Sequence, residues 1–164
     1  MALFFRVATL DDMSDLVALE QQCFSSDRLS PRSVRWMISR ANGQLWVAQQ
    51  HGQLLGYALV LFRRGTRFAR LYSLAIAEHA RGLGLGKQLL AHIETRALEK
   101  GCAYLRLEVR TDNPGALALY ERNGYRRFAV VDDYYQDHSD ALRLEKTLPP
   151  VGASLLAKNA QAQR

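Results

Sequence analysis

"LYSLAIAEHARGLGLGKQLLAHIETRALEKG", residues 71–101, decides the fold. An apolar stretch with strand character passes through three glycines at alternate positions, Gly82, Gly84 and Gly86, into a helical run. On that helix Leu89, Leu90, Ile93 and Ala97 share one face, and Gly101 stops it. A glycine-rich turn that opens a helix offers backbone N–H groups and the positive end of the helix dipole to an anion. Arg81 and Lys87 flank the turn with full positive charges. The segment therefore reads as a phosphate site.

Two common phosphate motifs fail on spacing. A dinucleotide fingerprint needs GxGxxG, and the glycines here give GxGxG. A P-loop needs GxxxxGK followed by Ser or Thr. Gly86-Lys87 is present, but Arg81 holds the first glycine position and Gln88 follows the lysine. What remains is Arg81-x-x-Gly84-x-Gly86 between a strand and a helix.

Working outward, Phe4 to Leu10 predicts a strand, and Asp11 and Asp12 cap a helix that ends near Phe24. Ser30 and Pro31 start a second, short helix. Leu45–Gln50, Leu54–Phe62 and Phe68–Ala77 read as a meander of strands, turning at His51-Gly52 and at Arg63 to Thr66. After the glycine segment, Ala103–Arg110 alternates: Leu105, Leu107 and Val109 on one face, Arg106, Glu108 and Arg110 on the other. Asn113-Pro114 opens another helix, which Asn123-Gly124 ends. Tyr125–Val131 and Ala141–Leu148 close the pattern. This order predicts an α/β (α+β mixed) domain over 1–148: a mostly antiparallel mixed sheet of about seven strands with about four helices on its faces. Residues 149–164, rich in Ala and Gln, are expected to form a flexible tail.

At 164 residues, 48% hydrophobic and 23% charged, the composition is that of one globular domain. The net charge of +6 admits nucleic acid, an anionic surface or a polyphosphorylated cofactor as partner. A nucleic-acid module predicts one contiguous basic face with interleaved aromatics, whereas these arginines are scattered. Cys23 and Cys102 carry no metal or disulfide spacing. There is no signal-peptide pattern and no run of membrane-spanning length, so a soluble cytoplasmic protein is expected, needing neither membrane nor nucleic acid.

The Arg81-x-x-Gly84-x-Gly86 loop, the strand before it and the helix after it resemble the GNAT acetyltransferase superfamily. "LRLEVRTDNPGALALYERNGYRRF", 105–128, is similar to the family's next strand, helix and final strand. The LEVR strand, the ALALY helix and the later Tyr134-Tyr135 and Asp140-Ala141 are most like the ribosomal-protein-alanine N-acetyltransferase branch. The resemblance implies acetyl-CoA as cofactor and CoA as product. It implies a sheet splayed at its centre, where pantetheine pairs with the backbone of Leu74 and Ile76. An N–H near Leu74 or Ala75 is then expected to face the thioester oxygen. Arg81, Gly82, Leu83, Gly84, Leu85, Gly86 and Lys87 are expected to hold the pyrophosphate, with Asn113 a further contact.

By the same resemblance Glu108 is the candidate base and Tyr120 the candidate acid and sulfur contact. Alternation alone leaves open a solvated Glu108 paired with Arg106 and Arg110, and helical spacing alone makes Tyr120 a core-edge tyrosine. The acceptor site is expected between Cys23–Arg32 and Asp132–Asp140, on Phe24, Ser25, Asp27, Tyr134 and Tyr135, with Asp137 and Asp140 able to receive a cationic amine. "FSSDRLSPRS" departs from the aromatic-proline stretch of the ribosomal-protein enzymes. The expected acceptor is a protein or peptide N-terminal amine. A small amine or lysine side chain is the alternative, and a monomer or homodimer is the expected state.

Overall fold

The computed structural model describes residues 2–39 and 42–149; the expected tail lies, from 150 on, outside the described residues. In chain order the elements are β1 (Phe4–Val7), α1 (Met13–Cys23), α2 (Pro31–Ser39), β2 (Gly43–Gln50), β3 (Gln53–Phe62), β4 (Phe68–Ile76), α3 (Leu85–Glu99), β5 (Tyr104–Arg110), α4 (Pro114–Arg122), β6 (Arg126–Val131) and β7 (Ala141–Thr147). The seven strands form one sheet in the order β1-β2-β3-β4-β5-β7-β6. Only the β4–β5 pair is parallel. It needs a crossover, and α3 supplies it.

Two apolar layers follow from strand alternation. On β3, Ala58 and Val60 face one layer while Tyr57 and Leu59 face the other, and all four are buried. The first layer is closed by Leu89, Leu90, Ile93 and Ala97 of α3 with Leu105, Leu107 and Val109 of β5 and Tyr120 of α4. The second is closed by Leu16 and Leu19 of α1 and Val34 and Met37 of α2.

The first strand stops at Val7 rather than Leu10, because Leu10–Asp12 forms one 3-10 turn. The cause is local. The Asp12 carboxylate accepts the Thr9 N–H at 2.8 Å and two guanidinium bonds from Arg6, at 2.9 and 2.8 Å. Asp12 therefore anchors the turn onto β1 instead of capping α1, and its side chain makes no cap bond there.

The feature that positions the site is a break in the middle of the sheet. β4 and β5 pair only from Phe68↔Tyr104 to Leu71↔Leu107. At that point the β3–β4 register slips: Leu59 faces Ser73 and Val60 faces Leu71, leaving Tyr72 as the extra residue of a bulge. Beyond it β4 stays with β3 as far as Ile76 and leaves β5.

Candidate active site

The opened strands border a cleft of about 720 Å³. Its walls bring together Leu74 of β4, Glu108 of β5, Asn113 and Tyr120 of α4, the loop after α1 at Phe24, Ser25 and Asp27, and the β6–β7 loop at Tyr134 and Tyr135. Residues far apart in sequence thus meet because two sheet halves diverge at one point.

Backbone parity decides what the β4 edge offers. The Ala77 N–H donates to the Leu55 carbonyl, and the pairs Tyr57↔Ala75 and Gly56↔Ile76 follow in step. In an antiparallel ladder alternate residues turn their N–H and C=O toward the partner. Ala77 and Ala75 therefore face β3, while Leu74 and Ile76 turn their amide groups to the gap. This corrects the expectation for Ala75, whose N–H belongs to the ladder. The side chains of Leu74 and Ile76 pack against the core at the same time.

At the far end of β4, Gly82 (φ +78) and Gly84 (φ +79) are left-handed, a region that a Cβ makes costly. No heavy atom lies within 4 Å of the place where a Cβ would stand on either, so the loop is open to approach. Gly84 is the N-cap of α3 and brings no side-chain acceptor to the first turn. Leu83 is exposed and Leu85 is buried in the core. Gly86 has a different reason to be glycine. A Cβ there would stand 3.2 Å from Leu119 Cδ2, so it lets α3 and α4 close together. Lys87 is exposed on the first turn. Arg81 folds inward, its Nε donating to the Ile76 carbonyl at 3.0 Å and Nη2 lying 3.4 Å from Cys23 Sγ. It ties the loop to the gap edge.

Glu108 is on the polar face of β5, but it pairs with neither Arg106 nor Arg110. Neighbours at i±2 on a strand lie almost two rises apart, whereas cross-strand positions lie closer. Glu108 Oε2 accepts from Arg70 Nε of β4 at 3.1 Å, and Oε1 from Arg143 Nε of β7 at 3.3 Å. Arg106 pairs with Glu145, and Arg110 with Asp112 and Asp137. Arg70 Nη2 also donates to the Tyr134 hydroxyl at 2.7 Å. Arg70 therefore joins the catalytic candidate to the acceptor loop.

Tyr120 is buried, its ring edge-on to Tyr125 at 5.8 Å, and burial pushes its phenol pKa well up. Such a group stays protonated at neutral pH and is a donor. It lines the cleft, and no protein group among the described residues bonds its hydroxyl. The Asn113 Oδ1 accepts the Ala116 N–H at 3.1 Å, which leaves its amide N–H₂ for the cleft.

The acceptor walls need correction at their carboxylates. Asp27 (φ +55) accepts the Gln136 N–H at 3.2 and 3.3 Å, and Gln136 Oε1 accepts the Asp27 N–H at 3.2 Å. Asp27 lines the cleft and latches the two loops together. Asp137 pairs with Arg110, which holds its carboxyl down at about 2. Asp140 accepts the Asp133 N–H. Tyr135 stacks under Arg110 at 4.9 Å and packs edge-on to Tyr134; burial first, then Tyr134, pushes its phenol up to about 12.

Two residues escaped the sequence reading. Arg70 gives no local signal, since only the β4–β5 pairing brings it to Glu108. Glu20 did leave one: it shares the buried stripe of α1 with Leu16 and Leu19, a carboxylate on an apolar face. It is 2% exposed and lines the cleft. Its Oε2 accepts the Leu29 N–H at 2.9 Å, its Oε1 is buried without a partner among the described residues, and burial pushes its pKa up.

Comparison with known proteins gives the family and a matching fold. A family model described as Acetyltransferase (GNAT) family matches residues 10–125. An uncharacterized N-acetyltransferase of Methanocaldococcus jannaschii is 35% identical over 112 residues, 68% of this chain and 70% of that protein. A ribosomal-protein-alanine N-acetyltransferase of Salmonella typhimurium is 36% identical over 77 residues, 45% of this chain and about half, 52%, of that protein. The crystal structure of the corresponding Escherichia coli enzyme superposes with a TM-score of 0.80 at 23% identity, covering 90% of this chain and 94% of that one.

Proposed function

The chain belongs to the acetyltransferase (GNAT) family and is an acetyl-CoA-dependent N-acetyltransferase, and from that premise we propose that its acceptor is the α-amine of a protein or peptide. The break between β4 and β5, with a carboxylate and a protonated phenol on its walls, supports the transfer, and the likeness to a ribosomal-protein-alanine N-acetyltransferase supports the acceptor.

The residues present suit the cofactor. The left-handed glycines and the helix start without a side-chain cap are open to a pyrophosphate. The amides of Leu74 and Ile76 suit an extended, amide-bearing arm. When bound, acetyl-CoA supplies the acetyl group as an activated thioester. Glu108 takes the proton of the incoming ammonium, directly or through one water. Arg70 and Arg143 hold the carboxylate in place meanwhile. Tyr120 holds the proton that a departing thiolate needs. Phe24, Ser25, Tyr134 and Tyr135 wall the acceptor, and the Asp27–Gln136 latch joins the two loops that carry them.

The test is an acetylation screen with the purified protein and acetyl-CoA. It compares peptides of varied N-terminus with the same peptides blocked at the α-amine but carrying lysine, and with polyamines. Acetylation confined to free α-amines is expected. Equal or faster acetylation of lysine side chains or polyamines overturns the acceptor assignment.

A further inference from the structure

Arg70 has more donors than its protein partners use. Its Nε goes to Glu108 and one Nη2 N–H to Tyr134. A guanidinium carries five N–H groups, so three have no protein acceptor among the described residues. The side chain is 37% exposed and lines the cleft. It is also held still: Glu108 and Tyr134 grip two edges, and the guanidinium lies 5.2 Å from the Tyr72 ring centroid.

The local charge is unbalanced in a telling way. Glu108 is one carboxylate shared by two guanidiniums, Arg70 and Arg143, which leaves one positive charge in excess. Arg143 does not line the cleft. Arg110 does, but Asp112 and Asp137 consume its charge. Glu20 and Asp27 also line the cleft, but they are engaged by the Leu29 and Gln136 N–H groups, so Arg70 keeps its unengaged donors directly beside Glu108.

We propose that Arg70 is the acceptor-specificity residue, and that it selects a primary amine with a carboxylate close beside it. This rests on the peptide-acceptor reading above. A group bonded to the outward N–H donors of Arg70 lies next to Glu108, and so within a few bonds of the amine that Glu108 deprotonates. An N-terminal Asp or Glu of a peptide has that chemistry. So does the α-carboxylate of a free amino acid. A polyamine, which carries a second cation where the carboxylate should be, is repelled.

The experiment uses the full chain and matched acceptors: peptides beginning with Asp or Asn and with Glu or Gln, and free glycine against glycinamide. Binding to the CoA-loaded protein by calorimetry is read beside KM and kcat. In the wild type the carboxylate member of a pair should bind and react with a KM lower by about tenfold or more, the size of a charge-assisted bond. Arg70→Gln should shrink that ratio to about threefold or less, and Arg70→Lys should keep part of it. The ratio is the readout because losing the grip on Glu108 lowers kcat for both members alike. Preference in the peptide pairs alone identifies the N-terminal side chain as the source; preference for glycine over glycinamide alone identifies the free amino acid, which keeps Arg70's role and overturns the peptide-acceptor reading. No preference in the wild type, or a preference that survives Arg70→Gln, overturns the proposal. Binding preference with no turnover on any acceptor leaves Arg70's role standing and sinks the amine-transfer reading instead.

Discussion

Tyr120 and Glu108 differ in how their surroundings prepare them. Tyr120 is suited to the proposed acid role by burial, which keeps the phenol protonated, and by an unengaged hydroxyl on the cleft. Tyr120→Phe keeps the ring and its edge-on contact with Tyr125, so the melting temperature should change little. Turnover should fall by about 10- to 10³-fold, with CoA affinity nearly unchanged, because the proton matters mainly in the transition state. Kinetics and a thermal melt on one preparation check this, and an unimpaired rate removes Tyr120 from the mechanism. Glu108→Gln should cost about 10²-fold in turnover, less at high pH where the amine is already neutral. It also strips the charge that Arg70 and Arg143 share, so a modest loss of stability should accompany it. A rate equal to wild type near neutral pH makes Glu108 merely the anchor of two arginines. Family likeness singled both out in the sequence, while strand alternation and helix spacing alone left a solvated glutamate and a core-edge tyrosine open; the structure puts both on the cleft. Arg70 was not legible in the sequence, because its contact with Glu108 exists only once β4 and β5 pair in parallel. Nor was the fate of Asp27, Asp137 and Asp140: composition shows carboxylates, while only the folded loops show that each is already bonded.

At the scale of elements, local rules succeeded where local chemistry decides. Asn113-Pro114 opened a helix as its capping chemistry requires, and Gly101 closed one. The strand end at Val7 was missed because Asp12 answers to Arg6, six residues back. The bulge at Tyr72 was invisible too, since register is a property of two strands. The latch between the two loops carries a prediction. Asp27→Ala removes the bonds to Gln136 that hold the α1–α2 loop against the β6–β7 loop. Acceptor KM should rise several-fold while CoA affinity stays level, because the latch touches only the acceptor wall. Steady-state kinetics with each substrate varied in turn measures this; a change confined to CoA would refute it. The glycines separate in the same way. Gly84→Asp places a carboxylate at the open helix start and should abolish CoA binding. Gly86→Ala meets Leu119 instead, and should cost stability before it costs affinity.

For the whole molecule, the parallel pairing that joins the two halves of the sheet spans only Phe68–Leu71 and Tyr104–Leu107. Past that seam the halves are linked by α3, α4 and the loop latch, with a cleft between them. A ligand that inserts between β4 and β5 can bond to the amides of Leu74 and Ile76. It binds the native state and not the unfolded chain, so it stabilises by mass action, about 2.7 kcal/mol at a hundredfold excess over Kd. For a chain of this size that is a rise in Tm of about 5–11 °C. CoA or acetyl-CoA should therefore shift the melt of the wild type strongly and that of Gly84→Asp hardly at all. Amide exchange should locate the effect: protection should grow most at Leu74 and Ile76, which face the gap, and least on the β2–β3 ladder, which is already buried. Arg70→Gln should leave this shift intact, since Arg70 serves the acceptor side. A wild-type protein indifferent to millimolar CoA would contradict the premise that the gap is a cofactor slot, whereas a shift with uniform protection across the sheet would place the ligand elsewhere on the fold.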